Sequence, residues 1–154
     1  MSHHREPVTA PGAPAAVGPY VHAVRAGGLL FCSGQVPLDP ETGELVAGPI
    51  GEQAARCLRN LQAVCEAAGA GLADAVRITV YLTDMGDFGA VNEAYGAFFT
   101  AASSGTGTAA SSGTGTAASS GTGIDDPPAR VAIGVAALPL GAAVEMDAVV
   151  ALPG

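Results

Sequence analysis

The chain contains no lysine and no tryptophan. All six of its basic side chains are therefore arginine, set against 14 carboxylates, for a formal charge of −8. Binding to phosphate backbones needs clustered cations, so nucleic acid and anionic membrane are excluded as expected partners. Aromatic residues make up only 5% of the chain, so a core must be built from alanine, valine and leucine. No apolar run approaches the length that spans a bilayer, and no apolar signal segment follows Met1-Ser2-His3-His4-Arg5. A cytoplasmic protein is expected. Arginine without lysine, with abundant alanine and glycine, points to a GC-rich, bacterial genome. Three cysteines, Cys32, Cys57 and Cys65, form an odd set without metal or redox spacing, and the three histidines form no metal-ligand constellation.

What is present is one domain's worth of periodic sequence in 154 residues. Tyr20 to Ala26 and Leu29 to Ser33 read as strands joined through Gly27-Gly28, a hairpin signal. Glu52 to Ala68 is a helix whose stripe runs through Ala54, Cys57, Leu58, Leu61, Val64, Cys65 and Ala68. Val76 to Leu82 is a β-branched strand. Asp87 to Phe99 is a second helix, with Phe88, Val91, Tyr95 and Phe98 on one face. Val131 to Leu138 and Ala142 to Leu152 are the last strands, linked across Pro139-Leu140-Gly141. The order predicts an α+β domain with two helices on one face of a mixed sheet. Its other face then needs cover, which cyclic self-association provides.

One segment stands apart. The octad Thr100-Ala101-Ala102-Ser103-Ser104-Gly105-Thr106-Gly107 repeats without change at 108–115 and 116–123. It has no charge and no large apolar side chain, so it is expected to be a spacer inserted in the domain, removable without loss of folding. Gly105, Gly107 and Ala110 match a dinucleotide-binding pattern but lack its strand and helix, so that reading is discarded. The turn Asp39-Pro40-Glu41-Thr42-Gly43 resembles a calcium loop, without the required ligand spacing.

Arg130 is the only basic residue after Arg77. It follows Pro127-Pro128-Ala129 and opens an apolar run that predicts a buried strand, where a lone guanidinium requires an anionic partner. A structural carboxylate would serve; so would a carboxylate ligand, whose geometry the planar fork matches. The surroundings favour a ligand.

Five blocks carry a family resemblance: APAAVGPY from Ala13 to Tyr20, AVRAGGLLFCSGQVPLDPETGEL from Ala23 to Leu45, TVYLTDMGDFGAVNEAYGAFF from Thr79 to Phe99, PPAR at 127–130, and VAALPLGAAVEMDAV from Val135 to Val149. In this order they resemble the Rid (reactive intermediate deaminase, YjgF-like) family over nearly the whole chain. The resemblance implies a chorismate-mutase-like fold, a homotrimer with pockets between subunits, and hydrolysis of 2-imino or enamine acids to 2-keto acids and ammonia with no cofactor. It also implies roles. Arg130 would hold the substrate carboxylate and Glu145 would position or activate water, while Tyr20, Ser33, Gly34 and Asn92 would line the pocket. Several positions depart from the usual pattern: Val131, Ala132 and Gly134 after the arginine, and His22 where glutamine is usual. They motivate an alternative, a non-hydrolytic relative that binds a carboxylate metabolite or serves a biosynthetic pathway. A Ser33–His22–Asp39 triad lacks a nucleophile-elbow motif, and Cys32 lacks an activating cation in sequence. Ribonuclease and chaperone activities proposed for relatives fit poorly with the charge and the missing lysines.

Overall fold

A computed structural model describes residues 4–100 and 126–154. Most of the octad array, 101–123, lies outside the described residues, and its first residue, Thr100, ends a helix. The strands are β1 (Glu6–Val8), β2 (Ala23–Ala26), β3 (Leu29–Gln35), β4 (Ala75–Leu82), β5 (Ala129–Gly134) and β6 (Val144–Ala151). Two helices, α1 (Ile50–Ala67) and α2 (Phe88–Thr100), follow β3 and β4 respectively. The strands form one sheet in the order β1-β2-β3-β6-β4-β5. All neighbours are antiparallel except β4 and β5. This is the expected α+β architecture.

Local chemistry accounts for the main turns and layers. Gly27 and Gly28 both take positive φ, 57° and 79°, as a tight turn between twisted strands requires. Along β6, Val144, Met146, Ala148 and Val150 are buried while Glu145, Asp147 and Val149 between them are not. That period of two puts one face under the helices and leaves the other outward. The predicted stripe of α1 is buried throughout, with Leu58 and Leu61 fully so, each worth roughly 1.5–3 kcal/mol of transfer free energy. All three cysteines are free and buried. The Cys57 thiol is pushed up by burial, and the Cys65 thiol is pushed up by its hydrogen bond with Cys32 and then by burial. Both shifts disfavour the reactive thiolate at Cys57 and Cys65.

Three expectations change. The strand expected from Tyr20 begins at Ala23, because the chain turns at Tyr20, whose N–H bonds Gly18 O at 2.9 Å. β1 is an unanticipated edge strand; an edge is where a residue such as Pro7 is tolerated. The strand after Arg130 is also shorter than expected, and it is an exposed edge rather than a buried strand. It runs parallel to β4, which separates it from β6.

Candidate functional site

Two clefts carry the residues singled out from the sequence, and each holds only part of the set. The first, of about 360 Å³, lies where β3 and β6 meet the N-terminal strand approach. Tyr20, Ser33, Gly34 and Glu145 line it. Its apolar wall includes Val17, Leu38 and Leu140. The second, of about 350 Å³, lies between α2 and the start of β5, and contains Asn92 and Arg130.

Glu145 occupies the first cleft because β6 turns every second side chain outward. Burial, and then the neighbouring Asp147 charge, raises its pKa above the ordinary carboxylate value. Its carboxylate lies directly over Gly34, where an added β-carbon would collide with it. Gly34 itself sits in the register shift between Cys32 and Gln35. Ser33 donates its hydroxyl proton to Val21 O at 2.6 Å, which leaves the oxygen's lone pairs for a ligand. The Tyr20 hydroxyl accepts from Val17 N–H at 3.3 Å.

Asn60, not singled out from the sequence, supports this cleft from behind. Buried on α1, its amide donates to Val36 O and Leu38 O at 3.2 and 2.9 Å. Its oxygen accepts from Arg56 Nε at 3.1 Å. A polar residue within a helical stripe reads as a surface position; only the returning loop makes it a clamp.

Arg130 is exposed but held. Nη1 donates to Asn92 Oδ1 at 2.8 Å, and the guanidinium stacks over Tyr95 and Phe88, 4.8 and 5.5 Å from the ring centroids. Burial pushes the Tyr95 phenol up to about 12, although the Arg130 cation opposes the shift. The fork has no carboxylate partner among the described residues, so the structural ion pair is absent there.

The strand registers keep the two clefts apart. Arg130 aligns with Ile78 on β4 and through it with Ala148 on β6. Glu145 aligns with Tyr81 and through it with Ile133. Three positions along and two strands across give a Cα separation on the order of 14 Å. An odd offset also puts the two on opposite faces: Ile78 and Ala148 are buried beneath the helices, while Glu145 lies on the other side. One chain does not bring Arg130 and Glu145 together.

The hydrolase triad is not assembled either. The His22 ring spends both nitrogens on backbone groups, Ala10 N–H and Pro14 O, and Asp39 accepts from the N–H groups of Glu41 and Thr42. Those bonds organise the 39–43 turn. The residues after Arg130 divide by face: Val131 and Ile133 point outward and are exposed, whereas Ala132 packs against the core. Gly134 leaves little room, since a β-carbon there would stand 3.1 Å from Met85 Cγ.

Comparison with known proteins agrees with the sequence resemblance. A family model described as endoribonuclease L-PSP matches residues 11–152. A RutC family protein, y4sK, of Sinorhizobium fredii is 43% identical, over 96% of this chain and 98% of its own length. A mouse protein named 2-iminobutanoate/2-iminopropanoate deaminase is 39% identical, over 94% and 90%. Among solved structures, Escherichia coli TdcF with bound serine superposes with a TM-score of 0.77 at 32% identity, covering 96% of this chain and 99% of that one.

Proposed function

The chain belongs to the endoribonuclease L-PSP family, the YjgF/RutC/Rid group, and from that premise we propose that it hydrolyses 2-imino or enamine acids to 2-keto acids and ammonia. The observation that carries this reading is the division of chemistry between the two clefts. One presents a stacked, hydrogen-bonded guanidinium without an anion; the other presents a half-buried carboxylate with a raised pKa beside a hydroxyl. A carboxylate substrate fits between them when the Arg130 cleft of one copy faces the Glu145 cleft of the next. The outer sheet face is suited to that assembly, since Phe31, Val131 and Ile133 remain 46%, 36% and 41% exposed on it. We take the assembly to be a cyclic trimer.

In this site Arg130 and Asn92 hold the substrate carboxylate and fix the imine carbon. Glu145 takes a proton from water as its oxygen adds to that carbon and passes it to nitrogen, giving a carbinolamine. It then moves the carbinolamine's hydroxyl proton to nitrogen as the C–N bond breaks, leaving the keto group and ammonia. An enamine is first protonated at carbon, for which a carboxyl group of raised pKa is suited. Water and the imino acid become the keto acid and ammonia, with no redox change. The relative named for this reaction and the neighbour holding serine, an amino acid with a carboxylate, support the substrate class. The family description names an endoribonuclease, but the charge of −8 disfavours RNA.

The reading is tested by generating the imine in situ with a threonine dehydratase and following keto-acid release. This protein is expected to accelerate release, and Arg130→Lys to lose roughly 10–100-fold in kcat/KM with an unchanged circular dichroism spectrum. The ammonium keeps the charge but not the fork. Turnover by Arg130→Lys equal to that of the parent would remove Arg130 from the site. No acceleration by the parent protein would remove the activity.

A further inference from the structure

The short stretch before β2 forms one wall of the Glu145 cleft, through Pro14, Ala15 and Val17, and it has little regular structure to hold it. His22 holds it. The imidazole is 7% exposed; Nδ1 accepts from Ala10 N–H at 3.0 Å, and Nε2 donates to Pro14 O at 2.8 Å. These two bonds span the strap from Ala10 to Pro14, whose Gly12 rests on Ala63 of α1, where a β-carbon would stand 3.6 Å from the Ala63 methyl. His22 O also accepts from Ser33 N–H at 2.9 Å, tying the same residue to the cleft floor.

We propose that His22 is a positioning residue: as a neutral imidazole it clamps the Ala10–Pro14 strap and so sets the wall of the cleft that Glu145 occupies. The pattern requires one tautomer, with the proton on Nε2, because Nδ1 must accept. Loss of the Nδ1 acceptor leaves the N–H of Ala10, a residue 1% exposed, without its partner and unties the strap from the cleft.

The kinetic part of the test rests on the hydrolase reading; the spectroscopic part does not. Imidazole nitrogen NMR of labelled protein is expected to show the Nε2–H tautomer, with the Ala10 amide signal shifted in His22→Leu. In imine hydrolysis, His22→Gln, which retains a donor and an acceptor, is expected to keep the parent's KM. His22→Leu is expected to raise KM about tenfold with a much smaller change in kcat. An Nδ1–H tautomer, or equal KM values for the glutamine and leucine variants, would overturn the clamp. If no form hydrolyses imines, the hydrolase reading falls and the tautomer with the Ala10 amide shift still decides the clamp.

Discussion

A β-carbon at position 34 would meet the Glu145 carboxylate, the mobile end of a side chain rather than a rigid backbone. Gly34→Ala is therefore expected to leave the melting temperature within a few degrees while lowering imine turnover about 100-fold, because displacing a reacting group by about 1 Å costs that much. Parallel thermal melts and keto-acid assays check it, and unchanged turnover would show that the carboxylate need not lie over residue 34. Glu145 also sets a pH dependence of stability. Its folded pKa is raised by burial, so the folded state holds its proton more tightly than the unfolded chain does. Its contribution to stability is then greatest below the unfolded value, about 4.3, and declines as pH rises through the folded value. Glu145→Gln removes that decline. The variant is expected to melt higher than the parent at neutral pH, with the gap closing toward pH 4, as calorimetry at several pH values would reveal. Gly34 and Glu145 were both legible in the sequence through the family blocks that contain them. Their contact was not, since it depends on a register shift between strands far apart in the chain.

At the scale of elements, α1 and the loop after β3 are joined through Asn60. Its amide satisfies two carbonyls, Val36 O and Leu38 O, that otherwise face a buried environment. Asn60→Ala is expected to destabilise the protein by about 2–4 kcal/mol in urea denaturation, because a buried unsatisfied polar group costs about 1–3 kcal/mol. A loss within ~0.5 kcal/mol would mean that water takes the place of the amide. The helices and β4 were readable from periodicity, since amphipathic stripes and β-branched runs are local properties of the chain. Asn60 was not readable, because its partners lie on another element. The strand after Arg130 was misjudged for a related reason: apolar composition marks a surface that needs cover, and does not say whether that cover comes from the same chain.

At the scale of the whole molecule, the placement of Arg130 and Glu145 on opposite faces of one sheet gives the proposed assembly a direct test. Arg130→Lys and Glu145→Gln subunits, each weakly active alone, are expected to recover activity when unfolded together and refolded. Random mixing in a trimer with sites between neighbours gives roughly a quarter of the parent activity, since that fraction of sites draws both native residues from different copies. Absence of recovery, with mixed trimers demonstrated by mass spectrometry, would place both residues in one subunit's site. The amino-acid sequence by itself determined the family, the α+β class and the helical core stripes, and it singled out the candidate site residues. These follow from composition, local periodicity and motif blocks in order. Tertiary structure alone decided that the site residues divide between two clefts, that Arg130 rests on Tyr95 and Asn92 rather than on a carboxylate, and that His22 braces a wall instead of serving Ser33. The reason is geometric. Which face a side chain takes depends on strand register, and which partner it meets depends on strand order; both are set by contacts between residues distant in the chain.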